Sequence, residues 1–108
     1  MSRADTIRKM LDAQPNDPFA HYGYAMALRG DGRLDEAEVA FAELERRFPD
    51  YAPQYLMRFQ NLVALERAAE ARAFGQRGMA ALQRLGNAHA LGELQAAIEQ
   101  AAEQFEWQ

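Results

Sequence analysis

Cysteine is missing from this 108-residue chain. Its absence excludes disulfides, thiolate metal sites and cysteine nucleophiles. β-Branched aliphatic residues are nearly missing as well: Ile7, Val39, Val63 and Ile98 are all there are, too few for the core of a sheet. No apolar run approaches the ~18–20 residues that a membrane span requires. The first nine residues are broken by Arg3, Asp5, Arg8 and Lys9, which leaves no stretch for a signal peptide. A soluble cytoplasmic protein with no membrane contact is the expectation. Basic residues are missing from residue 85 onward, where Glu93, Glu99, Glu103 and Glu106 stand without a Lys or Arg. Residues 1–84 hold 12 charges of each sign, so the whole net charge of −4 lies on that last segment. Phosphate backbones repel such a surface, and nucleic acid is not an expected partner. A solvated helix face is the simplest reading of the acidic end, with a basic partner as the alternative.

What is present favours helices. Hydrophobic residues make up 49% of the chain, which excludes a disordered segment, and Ala, Leu, Glu, Arg and Gln supply strong helix formers. Breaks fall at Gln14-Pro15-Asn16-Asp17-Pro18, Gly30-Asp31-Gly32, Phe48-Pro49-Asp50 and Leu85-Gly86-Asn87. Asp17 is placed to cap a helix whose first residue is Pro18, where a missing N–H costs nothing. Asp50 is expected to cap the helix that has Pro53 in its first turn. Between the breaks, Leu34, Ala37, Phe41, Leu44 and Phe48 recur at steps of three and four, as do Ala71, Phe74, Gly78, Leu82 and Leu85 and then Leu91, Leu94, Ile98, Ala101 and Phe105. Each set is one stripe of an amphipathic helix. Residues 19–28 are apolar almost all round, so that helix is either covered on several sides or exposes an adhesive face. Six helices are expected, at 3–13, 17–29, 33–47, 51–65, 68–85 and 88–105. Their short connections make neighbours antiparallel. The fold class is all-α.

The chain also aligns with itself at an offset of 34 residues. Leu28 falls on Leu62, Arg33 on Arg67, Glu36 on Glu70 and Ala37 on Ala71, and Pro15 falls on Pro49. That period is the length of a tetratricopeptide unit. Leu34-Asp35-Glu36-Ala37, followed by Phe41 and Pro49, resembles the second half of the tetratricopeptide-repeat motif. Asp17-Pro18 ahead of an aromatic-rich helix, with Gly32 before Ala37, resembles the first half. The resemblance covers residues 4–105 and implies helix hairpins stacked as a short right-handed solenoid. It divides a single domain, residues 1–108, into a half-unit (3–16), two repeats (17–50 and 51–84) and a capping helix (88–105). The second repeat departs from the pattern. Glu66 stands where the family usually has glycine, Phe59 where it has a small residue, and Gly75 and Gly78 replace Phe41 and Leu44. Residues 62–74 contain no breaker, yet two equal hairpins bury more surface than one projecting rod. A turn is therefore expected between residues 64 and 69.

Catalytic chemistry finds little support. His21, among aromatics, reads as a partly buried structural residue, and His89 as a first-turn surface residue. No HExxH, GxGxxG, P-loop or nucleophile-elbow spacing occurs, and two histidines without cysteines do not make a zinc site. An enzyme, a metal and a cofactor are not expected. The resemblance implies binding of another protein or peptide. In the family the first helix of each hairpin lines a concave groove, which here places Phe19, Tyr22, Met26 and Arg29, then Leu56, Gln60 and Val63, on the contact face. Some members grip the C-terminal carboxylate of heat-shock chaperones with lysine and asparagine. The matching positions here are Tyr22, Met26, Leu56 and Gln60, so an apolar peptide or helix is the expected ligand. The alternative is a homodimer whose apolar faces close on a second copy, with Phe105 and Trp107 as exposed aromatics able to seal the interface.

Overall fold

A computed structural model describes residues 2–108. Its helices are α1 (Arg3–Ala13), α2 (Pro18–Gly30), α3 (Leu34–Arg47), α4 (Pro53–Ala64), α5 (Ala68–Arg84) and α6 (Ala88–Phe105), and no strand occurs among the described residues. No end differs from the sequence expectation by more than two residues. The chain gathers into two compact units, residues 1–54 and residues 55–108.

In residues 1–54, α2 packs on both α1 and α3. Start signals in the sequence are used directly. Ser2 and Asp5 form a reciprocal capping box at the head of α1, and Asp17 Oδ1 accepts the Phe19 N–H at 2.9 Å. Both satisfy amide groups that the first turn of a helix leaves unpaired. The buried side chains are Ala4 and Leu11 from α1, Ala25, Ala27 and Leu28 from α2, and Ala37, Phe41 and Leu44 from α3. Ala25 and Ala37 are wholly covered, as expected of small residues that let two helices of a hairpin close up. Asp50 is not the cap of α4: the helix begins at Pro53, and Asp50 stands in the turn before it. Gln54 braces that turn instead. It is fully buried, and its Nε2 donates to the Phe48 and Tyr51 carbonyls at 2.8 and 3.0 Å.

In residues 55–108 the core consists of Tyr55, Phe59 and Leu62 from α4, Ala71, Phe74 and Leu82 from α5, and Leu94 and Ala101 from α6. Tyr55 stacks on Phe74 with ring centroids 5.9 Å apart. The expected break is present: α4 stops at Ala64 and α5 starts at Ala68. Its geometry repeats that of the glycine turn after α2. Gly32 N–H donates to Arg29 O and Arg33 N–H to Leu28 O; Glu66 N–H donates to Val63 O and Arg67 N–H to Leu62 O. This pair of bonds is the Schellman closure, which requires a left-handed residue just past the helix. Gly32 has φ +77° and Glu66 has φ 58°. The turn therefore forms in the second repeat without its glycine, at the cost of a strained glutamate.

The glycines of α5 also find a physical reason. A Cβ on Gly75 would lie 3.0 Å from both Ile98 Cδ1 and Phe59 Cε1, and one on Gly78 would lie 3.0 Å from Leu94 Cδ2 and 3.4 Å from Tyr55 Cδ1. At the 34-residue offset Phe59 matches Ala25 and Gly75 matches Phe41, while Tyr55 matches His21 and Gly78 matches Leu44. The second hairpin carries its bulk on the first helix and its gaps on the second, the reverse of the first hairpin. The space each glycine leaves is taken by a ring of α4 and a side chain of α6, which is the condition a packed core imposes.

Candidate protein-interaction surface

The apolar character of α2 exceeds what two packed neighbours can cover. Leu28 is 1% exposed, whereas Phe19 is 67% exposed. On α1, Leu11 turns inward and Met10 is left 62% exposed. These helices enclose a cleft of about 680 Å³. Ile7, Met10 and Gln14 form its α1 side, and Phe19, Tyr22 and Met26 its α2 side. Its floor is made of small residues on α2, among them Ala20, Gly23 and Ala27. Arg3 and Asp31 lie at one end, where the Ala4 N–H donates to Asp31 Oδ2 at 3.4 Å. Asp17 lies at the other.

Three of the expected contact residues, Phe19, Tyr22 and Met26, thus share one cleft wall. Arg29 does not line it. Its Nη1 is buried without a hydrogen-bond partner among the described residues. Tyr22 packs on Tyr51 with centroids 5.4 Å apart. Burial pushes the Tyr22 hydroxyl above the usual phenol range and Tyr51 adds to this, while Arg29 opposes it. Both effects keep the phenol neutral and available as a donor. In the other unit, Leu56, Gln60 and Val63 of α4 are half-buried. Ile7, Met10 and Gly23 were absent from the expected contact set. Ile7 and Met10 stand three residues apart on one side of α1, but spacing cannot say which members of such a side turn outward.

A second cleft, of about 780 Å³, runs between α1 and α3, with Tyr24, Ala40 and the 72%-exposed Val39 among its lining. Its charges are already matched. Arg8 pairs with Asp12 at 3.1 Å and Arg46 with Glu43 at 2.6 Å. Such exposed pairs contribute little to stability, but they leave no uncompensated charge for a ligand. His21 is 6% exposed at this wall, and its Nε2 lies 2.6 Å from the Pro15 carbonyl, to which it donates. The ring also packs on Phe48. It braces the α1–α2 loop, as a structural histidine does. His89 is on the surface, 3.3 Å from Glu93 one turn on.

The C-terminal aromatics are not the free surface that the sequence suggested. Trp107 stacks on Phe105 at 5.6 Å and meets the edge of Phe59 at 6.5 Å. Arg72 lies over the Trp107 ring and donates to the Gln108 carbonyl. Trp107 and Phe105 are both half-buried. The Schellman closure at Glu106, with φ 56°, folds the end of the chain back onto its own unit.

No protein-family profile and no curated protein matches the chain. Solved structures do. A tetratricopeptide repeat domain protein from Salinibacter ruber superimposes with a TM-score of 0.79 at 26% identity, over 88% of this chain and 96% of that one. The TPR2B domain of yeast Sti1, determined in a complex with pHsp70, superimposes with a TM-score of 0.85 at 17% identity, over 94% of this chain and 81% of that one. The helix hairpins, the 34-residue offset and these likenesses agree: the chain has the tetratricopeptide-repeat-like, all-α fold.

Proposed function

We propose that the chain is a protein-interaction module that docks an apolar peptide or helix of a partner against the face carrying Phe19, Tyr22 and Met26. One observation carries this reading: the α1–α2 cleft keeps Phe19 and Met10 about two-thirds exposed. Large apolar side chains concentrated in one concavity are a mark of contact surfaces. Aromatic and Met side chains give such a surface area and adaptability. In residues 55–108, Leu56, Gln60 and Val63 are the corresponding contact candidates on α4. The fold supports the reading, since the Sti1 domain was determined bound to pHsp70. Tyr22, Met26, Leu56 and Gln60 offer no lysine or asparagine for a carboxylate, which favours an apolar ligand.

The test is selection of binders from a random peptide display library on the full chain. Selected sequences are expected to be rich in Leu, Phe and Met. Phe19→Ala is expected to weaken a selected peptide about tenfold, the size of a moderate hot spot, with the helical circular dichroism unchanged. Binding indifferent to Phe19→Ala and Met26→Ala would remove the cleft from the function.

A further inference from the structure

The internal repeat defines what the α1–α2 cleft is shaped to hold. α1 ends at Ala13 and α3 at Arg47, and at the 34-residue offset Ile7 falls on Phe41, Met10 on Leu44 and Pro15 on Pro49. Phe41 and Leu44 are fully buried on a helix that packs along α2. Ile7 is half-buried and Met10 is 62% exposed. α1 has α2 beside it, but among the described residues of this unit no helix takes the place on α1 that α2 takes on α3. We infer that the cleft is the seat of one helix from a partner protein, about as long as the 13-residue α2, lying antiparallel to α1 and parallel to α2. The inference rests on the reading of this cleft as a docking face, and it gives the ligand a direction and a residue pattern.

Charge favours the direction. A helix set on α1 as α2 is set on α3 begins at the Asp17 end of the cleft and stops at the Arg3 end. Asp17 then lies by its positive N-terminus and Arg3 by its negative C-terminus, the favourable sign at both ends. Asp31 shares the Arg3 end, but its Oδ2 accepts the Ala4 N–H at the head of α1. Arg3 is exposed and falls on the fully buried Ala37 at the same offset. The partner helix therefore closes less tightly there than α2 does on α3, which leaves the guanidinium room to reach its last carbonyls.

Volume sets the pattern. In the second hairpin Phe41 and Leu44 are replaced by Gly75 and Gly78, and a Cβ on these would meet Phe59 and Tyr55 of α4, two residues four apart. In the first hairpin the large Phe41 goes with a small residue, Ala25, at the position of Phe59. Ile7 is bulky as Phe41 is. The partner helix is therefore read at two positions four apart: the first rests on Met10 and the second, which is small, on Ile7. Its adjoining apolar flank lies against Phe19, Tyr22 and Met26, the arrangement of an amphipathic helix in a groove.

The probe is a synthetic peptide of the α2 sequence, residues 17–31, locked as a helix by a hydrocarbon staple between positions 23 and 27, on the side opposite Ala25. Fluorescence anisotropy with the full chain is expected to show saturable binding. Met10→Asp in the chain is expected to weaken it at least about tenfold, with the helical circular dichroism unchanged. Phenylalanine in place of Ala25 in the probe is expected to lower the affinity by a similar factor, and this variant leaves the chain itself untouched. Ile7→Ala in the chain is expected to reverse the preference between the two probes, reproducing the exchange between Phe59 and Gly75. A nitroxide on the probe's C-terminus is expected to broaden amide signals around Arg3, and one on its N-terminus those around Asp17. No saturable binding, a preference indifferent to Ile7→Ala, or the opposite labelling pattern overturns the inference. Self-association of the chain that shuts out the probe and is lost in Met10→Asp overturns the choice of a separate partner. If library-selected peptides bind as extended chains in a manner that needs Phe19, while the stapled helix does not bind, only the helical occupant is wrong and the docking face stands. If neither binds through this cleft, both fall.

Discussion

Replacing Glu66 by glycine tests how the second repeat makes its turn. Glu66 is exposed, holds φ 58° and occupies the left-handed position of the α4 closure. For a residue with a Cβ this conformation costs roughly 1–2 kcal/mol. Glycine removes that cost but gives the unfolded chain more freedom, which takes back about 0.4–1 kcal/mol. A second gain comes from charge. The glutamate sits at the C-terminal end of α4, where the helix dipole is negative, and its removal contributes about 0.3–1 kcal/mol. The net expectation for Glu66→Gly is a stabilisation of about 1 kcal/mol, or about 4 °C in Tm for a chain of this size. Urea unfolding followed by circular dichroism measures it, with an unchanged m-value as the sign that the surface exposed on unfolding has not altered. Glu66→Gln isolates the charge: it is expected to recover the smaller part of the gain, and that part is expected to fade at high salt. Gly32→Ala is the mirror experiment and is expected to destabilise by about 1 kcal/mol, since φ there is +77°. A Glu66→Gly chain no more stable than the parent would refute the reasoning, and with it the equivalence of the two turns.

Two further predictions concern the interior. Gln54→Leu removes the amide that now serves the Phe48 and Tyr51 carbonyls. Each carbonyl keeps a backbone N–H, from Tyr51 and Gln54, and the partnerless Gln54 Oε1 goes as well, so a loss of about 1 kcal/mol is expected, read as a lower urea midpoint. Gly75→Ala adds about 1 kcal/mol of helix propensity. It also forces a Cβ into 3.0 Å contacts with Ile98 and the 1%-exposed Phe59, an overpacking of about 1–3 kcal/mol. A net destabilisation is expected, relieved only in part by adding Ile98→Val, which removes the Cδ1 contact but leaves that with Phe59, and a chain stabilised by Gly75→Ala alone would contradict it.

Much of the fold was legible from punctuation. Pro18, Gly32, Pro49 and Gly86 each act through the backbone, by fixing φ, removing a donor or admitting positive φ, and such effects are local enough to be read from a single sequence. The turn at Glu66 was legible only through the repeat, because no residue there announces it. The exchange of bulk between Phe59 and Gly75 lay beyond reach for a related reason: each residue looks like a defect until the other is known to touch it. The candidate face was legible only as a shared helix side. Phe19, Tyr22 and Met26 fall on one wall of the α1–α2 cleft, since residues three and four apart share a helix face, whereas the resemblance implied a groove lined by α2 and α4. Arg29 obeys the same spacing but is not among the residues that line this cleft, and spacing says nothing about where a long side chain ends. Trp107 was misjudged because its placement depends on one left-handed residue, Glu106, that sequence pattern does not mark.

The exchange of bulk between the hairpins also limits how the chain can be rearranged. Two hairpins that match at a 34-residue offset would ordinarily be interchangeable parts. Here a graft of α5 into the place of α3 would set glycine at the position paired with Ala25 and leave a void. A graft of α3 into the place of α5 would drive a phenylalanine into the ring of Phe59. Each helix has become specific to the partner beside it. The pairing of helices within each hairpin is therefore fixed by steric fit, and any shuffling of this chain has to move whole hairpins.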